Sequence, residues 1–241
     1  MFIDTTSRST QVEIMDDLEM EGELLRRSLD TLDSINKWLG GNQVTLKGLD
    51  TLLRQLPMDK TIKIVDIGCG SGDMLRLVAD KMRKAGRKVE ILGIDANAFT
   101  VNYARKKSLK YPEISYLCES IPYAGFFDLE YDILLSTLFL HHLESPKIVE
   151  FLKKSTPKIS TGIIVNDLHR SQWAYFLFNI LTFFVPNRMI RQDGLTSILK
   201  GFKKTDLQNF SKQLHFTNSS IKWCWAFRYQ WIVQLQKTKP T

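Results

Sequence analysis

Apolar residues recur along the chain in two rhythms, and the change from one to the other falls near residue 60. Over QVEIMDDLEMEGELLRRSLDTLDSINKWLGG, the positions Ile14, Leu18, Leu25, Leu29, Leu32, Ile35 and Leu39 return at three- and four-residue steps, which predicts an amphipathic helix stopped by Gly40 and Gly41. TLKGLDTLLRQL predicts a second, shorter helix ending before Pro57. From Thr61 the rhythm becomes short apolar runs, TIKIVDIG, KVEILGID, ISYLCE, YDILLST and TGIIVND, separated by the amphipathic stretches DMLRLVADKMRKAG, AFTVNYARKKSL and SPKIVEFLKKS. Strands alternating with helices predict βαβ units with right-handed crossovers, hence an α/β fold with a doubly wound, mostly parallel sheet.

Beyond the fifth strand, SQWAYFLFNILTFFVPNRMI is apolar almost all round, from Trp173, Tyr175, Phe176, Leu177 and Phe178 through Phe183, Phe184 and Val185. It is too short to span a bilayer, which takes about 20 apolar residues, so it reads as a buried lid, an interfacial element or a dimer surface. KTDLQNFSKQL predicts a further helix, and SIKWCWAFRYQWIVQLQK an antiparallel hairpin joined near Phe227 to Gln230. The domain reading is a helical arm or cap over residues 1–60 and one α/β domain over 61–241, with a helical lid inserted at about 170–202.

Composition narrows the class without changing this plan. At 241 residues, 44% apolar and 24% charged, the chain suits one soluble domain. Acids near the start, where an export signal needs bases, and three scattered cysteines without CxxC spacing point to a reducing cytoplasm, with neither a disulfide framework nor a metal site. Charge is uneven: residues 146–241 carry 15 Lys and Arg against 4 acids, net +11. Such a surface suits nucleic acid, an anionic membrane or an anionic carrier, though a solvated Lys-rich face is the commoner meaning.

The candidate chemistry begins at VDIGCGSGD. A dinucleotide turn would read GxGxxG, but the place of the third glycine holds Asp73, and no Gly-Lys-Ser/Thr run marks a triphosphate loop. Gly68, Gly70 and Gly72 let backbone approach a ligand at the end of the first strand, and Asp66 there faces a cationic or amino group rather than a phosphate. Asp95, ending the second strand, has two acceptor oxygens for vicinal ribose hydroxyls. The combination describes a nucleoside carrying an amino acid and a positive charge.

VDIGCGSGD, GIDANA and LLSTLFLHHL together resemble the class I S-adenosylmethionine-dependent methyltransferases, over about Thr61 to Asp167. The resemblance implies a Rossmann-like fold with S-adenosylmethionine as cofactor. It implies that Asp66, Gly68, Cys69 and Gly70 contact the methionine part, Asp95 the ribose and Ala96 the adenine face, with Ser136 also at the cofactor. The acid often offered to the adenine amino group falls at Leu117 or Cys118, so Glu119 or a backbone group takes that contact. INKWLGG, NDLHRSQWAY and DGLTSILKGFKKTDL resemble a bacterial subgroup that tailors small aromatic, quinone-like or polyketide molecules.

In such a reaction the methyl group is already activated, so a base is useful but not obligatory. His141 and His142 follow strand four at the sheet edge where the acceptor belongs, and each reads equally as a turn or packing histidine. His169 lies beyond strand five beside Asn166, Asp167 and Arg170. Arg170 suits an acidic or phenolate oxygen, and Asn166 and Tyr175 join it as substrate-side candidates. Arg8 and Asp16 stand in the arm, where they either close over the acceptor or sit on an exposed helix face. The expected function is methyl transfer to a small aromatic or polyketide-like acceptor, foremost O-methylation. The alternatives are quinone-ring C-methylation and an RNA or protein methyltransferase using the basic third. The expected partner is a small molecule rather than nucleic acid, with a homodimer or interfacial contact through the apolar helix.

Overall fold

The alternation that starts at Thr61 folds as one sheet in the computed structural model, which describes residues 3–183 and 187–235. Strands β1 (Ile62–Ile67), β2 (Val89–Asp95), β3 (Ile114–Cys118), β4 (Tyr131–Thr137) and β5 (Ile159–Leu168) precede β6 (Ser219–Cys224) and β7 (Arg228–Gln234) in the chain. In space their order is β3-β2-β1-β4-β5-β7-β6. The first five run parallel, β7 runs antiparallel to β5, and β6 antiparallel to β7. The chain turns to opposite sides of the sheet after β1 and β4, which opens a crevice at their carboxyl ends.

Helices α1 (Glu23–Trp38), α2 (Gly41–Leu53), α3 (Asp73–Lys84), α4 (Ala98–Lys107), α5 (Ser145–Ser155), α6 (Gln172–Phe183), α7 (Arg188–Lys200) and α8 (Lys204–Gln213) complete the described elements. Leu49 and Leu52 of α2, Leu75, Val78 and Met82 of α3, and Val101 and Ala104 of α4 pack on the face that carries Ile62 and Ile64. Ile148, Phe151 and Leu152 of α5 with Leu207 and Phe210 of α8 cover the other face, against Val65, Ile67, Leu134 and Trp231. Burial on both faces is why β1 and β4 are apolar runs rather than alternating ones.

Four expectations change at the edges. The first helix begins at Glu23, not Gln11, because Gly22 enters with φ +88° and residues Ile14–Asp16 form only a 3-10 turn. The second begins at Gly41 and ends at Leu53. The hairpin joins at Trp225–Phe227, where Ala226 and Phe227 take φ +62° and +53°, so Arg228 already belongs to β7. The inserted segment holds two helices, and α7 had no separate signal. Phe184 and Val185 of the apolar stretch, and Gln236 and Lys237 of the last one, lie outside the described residues. Trp173 and Phe183 on α6 are 69% and 72% exposed. No helix among the described residues is long and apolar enough to cross a membrane.

Candidate active site

Between the strand ends and the helical arm lies a cavity of about 530 Å³. Its floor is the turn after β1, where Gly68, Gly70 and Gly72 all take positive φ. A Cβ on Gly68 would stand 2.3 Å from the Phe139 ring, whereas one on Gly70 would meet nothing within 4 Å, which leaves the turn open towards the cavity. Asp95 at the end of β2 holds this turn: Oδ2 accepts from the Gly70 amide at 3.0 Å and Oδ1 from the Asn97 amide at 3.1 Å. Each oxygen keeps acceptor capacity for a diol.

Asp66 is buried, and its Oδ1 has no hydrogen-bond partner. Burial, then the charges of Asp73 and Asp95, push its carboxyl well above the usual range. Burial also raises Asp95, and burial with the neighbouring Asp33 raises Asp73. An orphaned acceptor among crowded carboxyls beside an open glycine turn fits a ligand that brings an ammonium group and a second positive charge. The sulfonium and amino groups of S-adenosylmethionine meet that requirement. Asp73 accepts from the Asn42 amide nitrogen at 3.2 Å, so the start of α2 also reaches this wall.

At the other end the two histidine rings pack together, centroids 4.2 Å apart and planes tilted by 33°. His141 is 3% exposed. Its Nδ1 lies 2.7 Å from Asp167 Oδ1, and its amide donates to Asp167 Oδ2 at 3.2 Å. Its Nε2 has no hydrogen-bond partner. His142 Nδ1 lies 2.7 Å from Asp16 Oδ1. Burial alone would depress His142, but the Asp16 hydrogen bond and the charges of Glu13 and Asp16 prevail and raise it. Glu13, His141 and His142 bring three ligand-type atoms within 4.8 Å of one another. The positive charge this trio meets is the ammonium of Lys200, 3.1 Å from Glu13 Oε1.

The N-terminal strap that carries Glu13 and Asp16 is fastened at several points. Arg8 donates to the carbonyls of His141, Leu143 and Lys200 at 2.7 to 2.9 Å. Asp193 of α7 accepts from the Ile14 and Met15 amides, and Ser197 donates to Glu13 Oε2. Between the polar ends, Leu25, Leu29, Leu32 and Ile35 of α1 and Leu177, Phe178 and Leu181 of α6 line the cavity.

Of the residues expected at the site, Asp66, Gly68, Cys69, Gly70, Asp95, Ala96, Glu119, His141 and His142 line this cavity. Five others stand away from its wall. Ser136 is buried within β4. Asn166 donates to the Gly41 carbonyl and to Thr45, fastening α2 to β5. Arg170 is 2% exposed and donates to the carbonyls of Gly201 and Thr5 and to Asp206, so it binds the strap and α8 rather than an acceptor. His169 accepts from the Trp223 indole at 3.3 Å, and burial with Arg170 and Lys203 lowers its pKa. Tyr175 lies on α6 outside the lining. Glu13, Lys200, Ser197, Asn42 and Arg228 carried no signal as site residues, since each acts only through contacts between distant segments.

Comparison with known proteins agrees with this geometry. Residues 64–157 match a family described as a methyltransferase domain. The chain is 38% identical over 63 residues to a 2-phytyl-1,4-naphtoquinone methyltransferase of Thermosynechococcus vestitus. It is 29% identical over 98 residues to the ubiquinone/menaquinone biosynthesis C-methyltransferase UbiE of Campylobacter jejuni. The matches span 26% and 40% of the lengths of those two proteins. Among solved structures, the plantazolicin methyltransferase BpumL, in complex with a triazolic desmethylPZN analog and SAH, superposes with TM-score 0.68 at 14% identity. That superposition covers 88% of this chain and 91% of that one. The CMeT domain of the citrinin polyketide synthase gives 0.60 at 16% identity, covering 82% and 53%. The matched methyltransferase domain lies over β1 to β4, with the glycine turn at their edge.

Proposed function

We propose that the protein transfers a methyl group from S-adenosylmethionine to a hydroxyl of a small, apolar, aromatic or polyketide-like acceptor. The observation that carries this reading is His141, buried at the cavity wall with Nδ1 held by Asp167 and Nε2 unpartnered. When bound, the sulfonium supplies a methyl carbon activated for displacement.

Asp66, Asp73 and Asp95 balance the ligand's positive charge, and the glycine turn lets it sit against backbone. Asp167 fixes the His141 tautomer that carries a proton on Nδ1, so Nε2 is free to accept the acceptor's hydroxyl proton as the O–CH₃ bond forms and the S–CH₃ bond breaks. The leaving thioether stays neutral, and the proton remains on His141 until product leaves. The apolar walls from α1 and α6 hold a flat acceptor and exclude water. Alignment of this kind contributes about 7 kcal/mol or more to lowering a transfer barrier.

A second reading, methylation of a ring carbon, is favoured by the quinone methyltransferases among the relatives. The same base would then deprotonate a ring hydroxyl and raise the nucleophilicity of the neighbouring carbon. The test is incubation of the purified protein with S-adenosylmethionine and a panel of phenols, hydroquinones and resorcinols, with products read by mass spectrometry and NMR. A new methoxyl signal supports the first reading and a new aryl methyl the second. Absence of any methylated product, with the cofactor bound, counts against both.

A further inference from the structure

Arg228 opens β7 beside the hairpin turn, and its side chain is 3% exposed at the cavity lining. Its Nη2 donates to Asn36 Oδ1 of α1 at 2.7 Å. Nε and Nη1 have no hydrogen-bond partner, and no carboxylate among the described residues lies within ion-pairing distance. The charges that face it are Asp167, already held against His141, and Asp73, which accepts from Asn42. A buried guanidinium without an ion partner is costly, and its planar fork matches a carboxylate.

The slot for this group is built. A Cβ on Gly41 would lie 2.7 Å from the guanidinium carbon and 2.8 to 2.9 Å from Nη2 and Nε. The start of α2 thus leaves room for the guanidinium by carrying no side chain there. We propose that Arg228, positioned by Asn36 and Gly41, is a carboxylate-binding subsite of the cavity. Two ligands can supply that carboxylate: the amino-acid end of the methyl donor, or an acidic acceptor. The first source rests on the methyl-donor reading above, and the second does not.

The test is calorimetry on the full chain with two probe pairs. S-adenosylhomocysteine is compared with its decarboxylated analogue, and 2,4-dihydroxybenzoate with resorcinol. In the wild type the carboxylated member of one pair binds ~10- to 100-fold tighter, as a charge-assisted bidentate contact provides. In Arg228→Met that preference falls to about onefold, while affinity for the partner lacking the carboxylate is unchanged. Gly41→Ala, which introduces a good helix former, loses the same preference by displacing the guanidinium, with unchanged circular dichroism. The pair that responds names the source. If S-adenosylhomocysteine does not bind the wild type at all, the methyl-donor reading falls, and the subsite is decided by the benzoate pair alone. If neither pair distinguishes wild type from a folded Arg228→Met or Gly41→Ala variant, the subsite is overturned.

Discussion

The two ends of the cavity balance charge in opposite ways. At the glycine turn, Asp66, Asp73 and Asp95 crowd together, burial holds all three carboxyls above their usual range, and Asp66 keeps an unpartnered oxygen. At the His141 end every acid is already matched: Asp167 with His141, Asp16 with His142 and Lys200, and Glu13 with Lys200 and Ser197. The first end therefore suits an incoming cation, whereas the second is preorganised, with His141 Nε2 making no hydrogen bond and lying 3.8 Å from Glu13 Oε1. The difference predicts that substitutions at the first end act on ligand affinity and those at the second on turnover or on closure of the strap.

The sharpest way to break this contrast is at His141. Replacing it by Gln removes the proton acceptor, and kcat is expected to fall about 10²- to 10⁴-fold, the usual yield of general-base catalysis. The affinity for S-adenosylhomocysteine, read by calorimetry, stays within a few-fold. An equal loss in both quantities would place His141 in the structural frame instead.

The next effect is at Asp66 and has two signs. Asp66→Asn weakens S-adenosylhomocysteine about 10- to 100-fold, because a charge-assisted contact to the amino group is lost. The same substitution stabilises the ligand-free protein. A carboxyl whose folded pKa lies above its unfolded one penalises folding fully above the folded value, and the penalty vanishes as pH falls below the ordinary value near 3.8. Melting curves should thus put the variant above the wild type at pH 7 and bring the two together near pH 4.

These two ends were unequally legible in sequence. Asp66, the glycine turn and Asp95 belong to strand ends and the turn after them, so the periodicity that marks strands also marks the site. His141, His142, Arg8 and Asp16 were visible as candidates, but their partners were not. Glu13 and Ser197 meet across 184 residues, and no local pattern encodes such a meeting. Arg170, Asn166 and His169 misled for a related reason. Asn166 lies in β5 near its carboxyl end and His169 and Arg170 directly follow it, yet their side chains fasten α2, α8 and the hairpin to that strand. Arg228 carries no signal because the sequence pattern places the turn two or three residues late, inside what is β7. The short apolar runs predicted the sheet well because burial on both faces needs no distant information, whereas the start of α1 depended on the backbone geometry of Gly22.

A smaller effect tests whether the strap is a separate closure. Arg8→Met leaves the carbonyls of His141, Leu143 and Lys200 without their donor, which costs about 2 kcal/mol for hydrogen bonds to a charged group. Urea unfolding should show that loss. Acceptor KM should rise more than the dissociation constant of S-adenosylhomocysteine, since the strap lies at the His141 end. If both constants change equally, the two ends are one unit.

The smallest effect is the pH response of the His142–Asp16 contact. The folded pKa of His142 is raised above its ordinary value near 6.5 by Asp16 and Glu13, so its stabilisation is complete below about 6.5 and is lost as pH rises through the folded value. Asp16 is depressed by the same contact, and its share is present above about 3.8 and is lost as pH falls through the lowered value. The strap is thus held best in the mildly acidic range. Amide hydrogen exchange of Met15 and Asp16 should quicken, relative to the amides of Gly70 and Asn97, as pH is taken upward from 6.5, after correction for intrinsic rates. In His142→Gln that extra quickening disappears, while the Asp95-bound amides of the glycine turn keep their wild-type protection. Equal behaviour of the two sets of amides in the wild type would remove the distinction between a preformed end and an end that waits for its ligand.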